Sequence, residues 1–183
     1  MRLDYNLGVL SSELQIAADL AKPFESCSLE AYWDPVASLG REPAGYPTQG
    51  WGHLLLRKTK IDIMAENSYS SKRADEWLQS QYPVQSQQEA DATFKVDLMA
   101  SKSAVLRLVK VQLSPNQLGA LIDFTFNVGA GNLQSSTLLR CINRGDYDIA
   151  TSEFVRWNKA LGVVLAGLTR RRLAEASVFR GTL

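Results

Sequence analysis

A chain of 183 residues with 45% apolar and 21% charged side chains has the make-up of one globular domain with a sizeable core. A net charge of +1 argues against a nucleic-acid partner, and two cysteines, Cys27 and Cys141, are too few for a disulfide framework, so free thiols are expected. No run of eighteen apolar residues occurs and residues 1–24 alternate apolar with polar groups, so neither a membrane span nor a secretory leader is expected. The charge is unevenly spread, −4 over residues 1–40 and +4 over residues 140–183. Ordinary solvated faces explain this as well as a basic lobe facing an anionic polymer.

Leu10, Leu14, Ala17, Ala18, Ala21 and Phe24 recur at three- and four-residue steps, which predicts an amphipathic helix from about Ser11. Pro23 ends it just before Glu25. Nine residues on stands Asp34, opening a segment rich in Pro and Gly that also holds Thr48, Gly50, Gly52 and the lone histidine, His53. Two carboxyl groups in unlike surroundings suit acetal hydrolysis, where one donates a proton to the leaving oxygen and the other stays ionised. Glu25, beside Phe24 and Leu29, has the apolar neighbourhood that retains a proton, and Asp34 in a polar turn is the group expected to ionise. Each has a plainer alternative: Glu25 as a surface carboxylate, Asp34 as an Asx-turn residue before Pro35, Thr48 as a simple β-former.

Residues 31–63 carry β-formers in alternation, Ile61 and Ile63 among them, and predict the only sheet, small and antiparallel. Residues 62–85 are polar, with a short helix at Ser71–Gln81 anchored by Trp77 and Leu78. Ser86 and Glu89 form a capping box that opens a long helix whose apolar face includes Phe94, Leu98, Val105 and Leu108, with Asp97 beside that face. Ser114-Pro115-Asn116-Gln117 is a second capping box; the helix it opens is almost wholly apolar, hence buried, and stops at Gly129 or Gly131. Helices follow at Ser136–Asn143, Asp146–Trp157 and Leu168–Phe179, with Arg170–Arg172 expected on a solvated face.

Glu25, Leu29, Ala31, Tyr32, Asp34, Thr48, Gly50, Gly52 and His53 fall in order on E-G-x-R-L-x-A-Y-x-D … T-I-G-Y-G-H. The chain therefore resembles the phage-type lysozymes, the endolysins of glycoside hydrolase family 24. Ser26 stands for the usual Gly, Gln49 for Ile and Trp51 for Tyr, and thirteen residues separate Asp34 from Thr48, a longer connection than in the shortest members. Later blocks match in the same order: residues 89–97, 116–129, 136–146, 153–157 and 167–175.

The resemblance implies a mostly helical α+β lysozyme-like fold in a single catalytic domain, 1–183. It has a small antiparallel β lobe (about 25–85), a helical lobe (1–24 and 110–183) and a spine helix (87–110). It implies that Glu25 protonates the leaving oxygen while Asp34, with Thr48, directs water onto the opposite face of the sugar, with inversion and without metal or cofactor. His53 is implied to be structural and to pair with Asp97. Phe126, Asn127, Ser136 and Thr137 are expected on the far wall of the cleft, with core packing the alternative for the phenylalanine.

The substrate implied is the β-1,4 bond between N-acetylmuramic acid and N-acetylglucosamine. The partner is the peptidoglycan strand, with no nucleic acid and no stable membrane insertion. The protein is expected to be a monomer, held in the host cytoplasm until a separate membrane-permeabilising protein lets it reach the wall. Three rivals compete: a lytic transglycosylase on the same bond, a cysteine amidase or peptidase built on Cys27 and His53, and a non-catalytic wall-binding protein.

Overall fold

The computed structural model describes residues 10–34, 45–160 and 162–181. In chain order these form α1 (Ser12–Ala21), β1 (Ser28–Asp34), β2 (Tyr46–Gly50), β3 (His53–Leu54), α2 (Lys60–Asn67), α3 (Ser71–Gln81) and α4 (Gln87–Leu108). Then come α5 (Pro115–Val128), α6 (Ala130–Ser135), α7 (Thr137–Arg144), α8 (Tyr147–Phe154) with a 3-10 turn (Val155–Trp157), β4 (Lys159–Ala160), β5 (Val163–Val164) and α9 (Ala166–Arg180). The fold is mostly helical with a small antiparallel sheet, as expected. Two compact units emerge, Glu25–Phe94 and the residues on either side of it, with the boundary inside α4 between Phe94 and Lys95.

In the sheet unit the strand order is β1-β2-β3, antiparallel throughout. Tyr32 pairs with Thr48, Trp33 with Pro47 and Asp34 with Tyr46, after an irregularity between Ser28 and Tyr32. Ile61 and Ile63, expected in a strand, lie in α2 instead. Thr59 is the reason: its hydroxyl accepts from the Asp62 amide (3.2 Å) while the Asp62 carboxylate accepts from the Thr59 amide (2.8 Å). That reciprocal cap nucleates a helix and overrides the β propensity of two isoleucines, of which only Ile63 is buried. The α3 helix has the predicted bounds, and Ser86 and Glu89 cap α4 as predicted.

In the helical unit the core gathers Leu20, Leu121, Phe124, Leu138, Ile142, Phe154 and Phe179. The Phe124 ring stands edge-on to Phe154 at 5.4 Å and to Trp157 at 5.5 Å. Helix α5 is buried as its composition required, and α1 approaches it at Gly119. A Cβ there would fall 2.5 Å from Ile16 Cγ2, so only glycine permits this spacing. Glu13 near the start of α1 is tied to Lys102 of α4 at 2.6 Å.

Three further features depart from expectation. A second, two-stranded sheet (β4–β5) and the short helix α6 are present. The solvated face at 170–172 holds only for Arg170, because Arg171 and Arg172 are buried at 2% and 0% exposure. Successive helical residues are about 100° apart, so three in a row cannot share one face. The inward pair meets buried acids: Arg171 Nη2 donates to Asp123 Oδ1 (2.6 Å) and Arg172 Nη2 to Glu175 Oε1 (2.7 Å). Glu175 is held well above the usual carboxylate range by burial and then by the Asp123 charge.

Candidate active site

Helix α1 ends at Ala21, before Pro23, and the Phe24 amide closes a turn on the Ala21 carbonyl (2.9 Å). Glu25 follows at a bend, half-buried, immediately ahead of β1. Its carboxylate lies against the β2–β3 turn: a Cβ on Gly52 would stand 3.6 Å from Glu25 Oε2. Gly52 has φ +86° and Gly50 φ +63°, left-handed conformations that tighten the two-residue connection of Trp51 and Gly52. Gly52 therefore serves as the turn residue in direct neighbourhood of the Glu25 carboxylate.

The turn is pinned from behind within the same unit. Trp51 Nε1 donates to Asp91 Oδ1 (2.7 Å), and its ring packs on Phe94 at 5.7 Å. A Cβ at Gly50 would meet Gln85 Nε2 at 2.9 Å and Ala90 Cβ at 3.5 Å, so the turn sits close on the first half of α4.

Asp34 closes β1 and Thr48 lies in β2. Asp34 pairs with Tyr46, and Thr48 is two residues further along β2, so the alternation of side chains puts both on one face of the sheet. Such diagonal neighbours stand about 7–8 Å apart, a span one water can bridge. Thr48 is buried and its hydroxyl donates to the Tyr46 carbonyl (3.1 Å), leaving its lone pairs as acceptors. Asp34 is not in the polar turn that its neighbours suggested. It is half-buried, and burial pushes its carboxyl above the usual range. The connection at 35–44 lies outside the described residues, yet the strand register alone brings Asp34 and Thr48 onto a common face.

Residues 22–175 match the phage lysozyme family model. The chain belongs to the phage lysozyme family. It is 40% identical over 96 residues to an endolysin of Bacillus phage B103, covering 52% of this chain and 36% of that one. It is 32% identical over 165 residues to an endolysin of Bacillus phage PZA, covering 90% and 54%. The chain thus spans about a third to a half of the length of these endolysins. Among solved structures it is similar to the muramidase domain of SpmX from Asticaccaulis excentricus, with a TM-score of 0.66, 28% identity, and 89% and 93% of the two chains covered.

Against this phage lysozyme background, two departures in the T-x-G-x-G-H stretch acquire physical reasons. Gln49, where an apolar residue is usual, is buried at 7% exposure, and its amide donates to the carbonyls of Leu29 and Pro83, both at 2.9 Å. Trp51, in place of Tyr, reaches Asp91 with its indole N–H. Sequence reasoning missed Asp91, whose only signal was its place one turn before Phe94.

His53 pairs with Gln49 in the β2–β3 register and is half-buried in the sheet unit, whereas Asp97 is half-buried on α4 in the helical unit. Cys27 and Cys141 are free thiols; Cys27 Sγ lies 3.7 Å from Gln87 Nε2, and Cys141 is buried. In the helical unit the Phe126 ring lies 6.0 Å below the Arg171 guanidinium, and Asn127 Oδ1 accepts from Arg172 Nη2 (2.9 Å). The Ser136 hydroxyl, 3% exposed, is engaged in capping α7: it donates to the Leu133 carbonyl and accepts from the Leu139 amide. Thr137 is half-buried and accepts from Arg140 Nη2 (2.7 Å). Among the described residues no group of three His, Cys, Asp or Glu side chains is arranged to hold a metal, and no helix is long and apolar enough to cross a membrane.

Proposed function

We propose that this phage lysozyme is a peptidoglycan muramidase of glycoside hydrolase family 24, hydrolysing the β-1,4 bond between N-acetylmuramic acid and N-acetylglucosamine during host lysis. The observation that carries this reading is the Glu25 carboxylate against the Gly52 turn, just ahead of the strand whose far end aligns Asp34 with Thr48. Glu25 donates its proton to the leaving oxygen as the glycosidic bond breaks. Asp34, aided by the Thr48 hydroxyl, takes a proton from a water that attacks the anomeric carbon from the opposite side. The product is inverted, which calls for a carboxyl separation of about 6.5–9.5 Å, room for the water.

A lytic transglycosylase on the same bond uses one acid and no directed water, so a second carboxylate and a hydroxyl on one sheet face favour the hydrolase. A Cys27 nucleophile has the Gln87 side-chain amide beside its thiol, a neutral group that cannot take the thiol proton as a general base would. The names of the similar endolysins support a wall substrate. We further propose a monomer that stays in the host cytoplasm until a separate membrane-permeabilising protein releases it.

Mass spectrometry of digested peptidoglycan tests the reading. A hydrolase leaves a new reducing end, a transglycosylase an anhydro-sugar, and an amidase free amines. Glu25→Gln keeps shape and polarity but cannot supply the proton, so activity falls about 10²–10⁴-fold. A variant retaining more than a tenth of wild-type turnover at unchanged substrate affinity refutes the assignment.

A further inference from the structure

Tyr32 occupies the middle of the sheet face that carries Asp34. It stands directly across the strands from Thr48, and Asp34 follows two residues later on the same face. The irregularity of β1 lies before Tyr32, so alternation is regular from Tyr32 to Asp34. Trp33, between them, is on the opposite face, where its indole donates to Asp75 Oδ1 (2.9 Å) and Asp75 is paired with Lys60 (2.6 Å). The charged and titratable groups that act on the Tyr32 phenol are Asp34 on its own strand, with Glu25 and Cys27 on the segment ahead of it. Tyr46 shares the face from β2, and α3 contributes Asp75 on the far side of the sheet.

Burial, and then the charges of Asp34, Glu25 and Cys27, push the phenol above its ordinary 10.0. At working pH it is therefore a neutral hydroxyl beside two carboxylates, able to donate. Positions two apart on a strand are about 7 Å apart, which leaves room for a single water between the side chains. Asp34 has the complementary need, because burial disfavours the charge that its role requires.

We propose that Tyr32 is a positioning residue for Asp34, its phenol hydroxyl donating through one water to the Asp34 carboxylate on the same face of the sheet. No proton is transferred by the phenol. It holds the Asp34 water in line and keeps the carboxylate charged. This rests on the reading of Asp34 as the group that directs water.

The test is Tyr32→Phe in the full chain, with kcat and KM on purified peptidoglycan across pH 4–9 and the Asp34 side-chain carbonyl titrated by NMR. The expected result is a kcat about tenfold lower or more at unchanged KM, an acid limb displaced to higher pH, and an Asp34 pKa raised in step. The wild-type protein supplies a check independent of the variant's folding, since the Tyr32 Cζ resonance should shift as Asp34 titrates. An unmoved acid limb and Asp34 titration overturn the proposal, as does a rise in KM alone. Asp34→Asn separates the two readings: full activity in that variant sinks the role of Asp34 as base, whereas the NMR titration still reads the coupling to Tyr32.

Discussion

Replacing Glu13 by Gln removes the negative end of a short ion pair that ties α1, the helix leading into Phe24 and Glu25, to Lys102. Lys102 Nζ and the Ser11 hydroxyl both donate to Glu13 Oε1, at 2.6 and 2.7 Å. The Lys102 hydrogen bond, then that of Ser11, draws the carboxyl down from the ordinary 4.5 to about 2. At ~1.36 kcal/mol per tenfold in proton affinity, the ceiling on its contribution is about 3.4 kcal/mol. The side chains of Lys102 and Glu13 remain 28% and 15% exposed, so water screens the pair and about 1–2 kcal/mol is the expected loss at neutral pH.

The pH dependence is the sharper signature. A depressed carboxyl contributes fully above about 4.5 and loses that contribution as pH falls towards 2, with more than half gone by about pH 3. Urea unfolding of wild type, Glu13→Gln, Lys102→Met and the double variant, at pH 7, 5 and 3.5, measures both the gap and the coupling. A coupling below ~0.3 kcal/mol, within the scatter of exposed pairs, refutes the reasoning. So does a gap that stays constant between pH 7 and 3.5.

Two further expectations concern the other charged and strained positions. Gly52→Ala should cost about 1–2 kcal/mol through its left-handed backbone. It should also lower turnover about tenfold or more, because relieving the strain shifts the turn against which the Glu25 carboxylate lies; thermal unfolding and turbidity assays check both, and unchanged turnover would show that the turn does not position the acid. Glu175 has a raised carboxyl, so its contribution is complete below 4.5 and fades as pH rises towards its folded value. Glu175→Gln should accordingly gain on wild type between pH 5 and pH 8 in denaturant titrations, and a gain in the opposite direction would place a charged carboxylate in the core.

What the sequence determined by itself is local chemistry. Glu25 and Asp34 stood out as candidates because acetal hydrolysis calls for two carboxyl groups in unlike surroundings, and the G-x-G-H stretch because a tight turn calls for glycine; Thr48 joined them through the resemblance to the phage lysozymes. The capping boxes at Ser86 and Ser114 were legible because a helix start is a four-residue event. Ser71–Gln81 was read from its two apolar anchors, Trp77 and Leu78, and the Thr59–Asp62 box in front of α2 was equally available, though the alternation around Ile61 and Ile63 obscured it.

Tertiary structure decided everything that depends on a partner distant in the chain. Arg171 read as a surface cation because nothing within a few residues says that Asp123, forty-eight positions away in an apolar helix, is waiting for it; Arg172 has its acid, Glu175, three residues on, but no local pattern says that the pair is buried. Asp34 read as a solvated turn residue, but strand pairing buries it and raises its carboxyl. Tyr32 read as a motif position, and only the register with Thr48 places it in the middle of the face it shares with Asp34. Burial and charge pairing are sums over neighbours in space, and a linear pattern constrains those neighbours only where the local backbone forces them together.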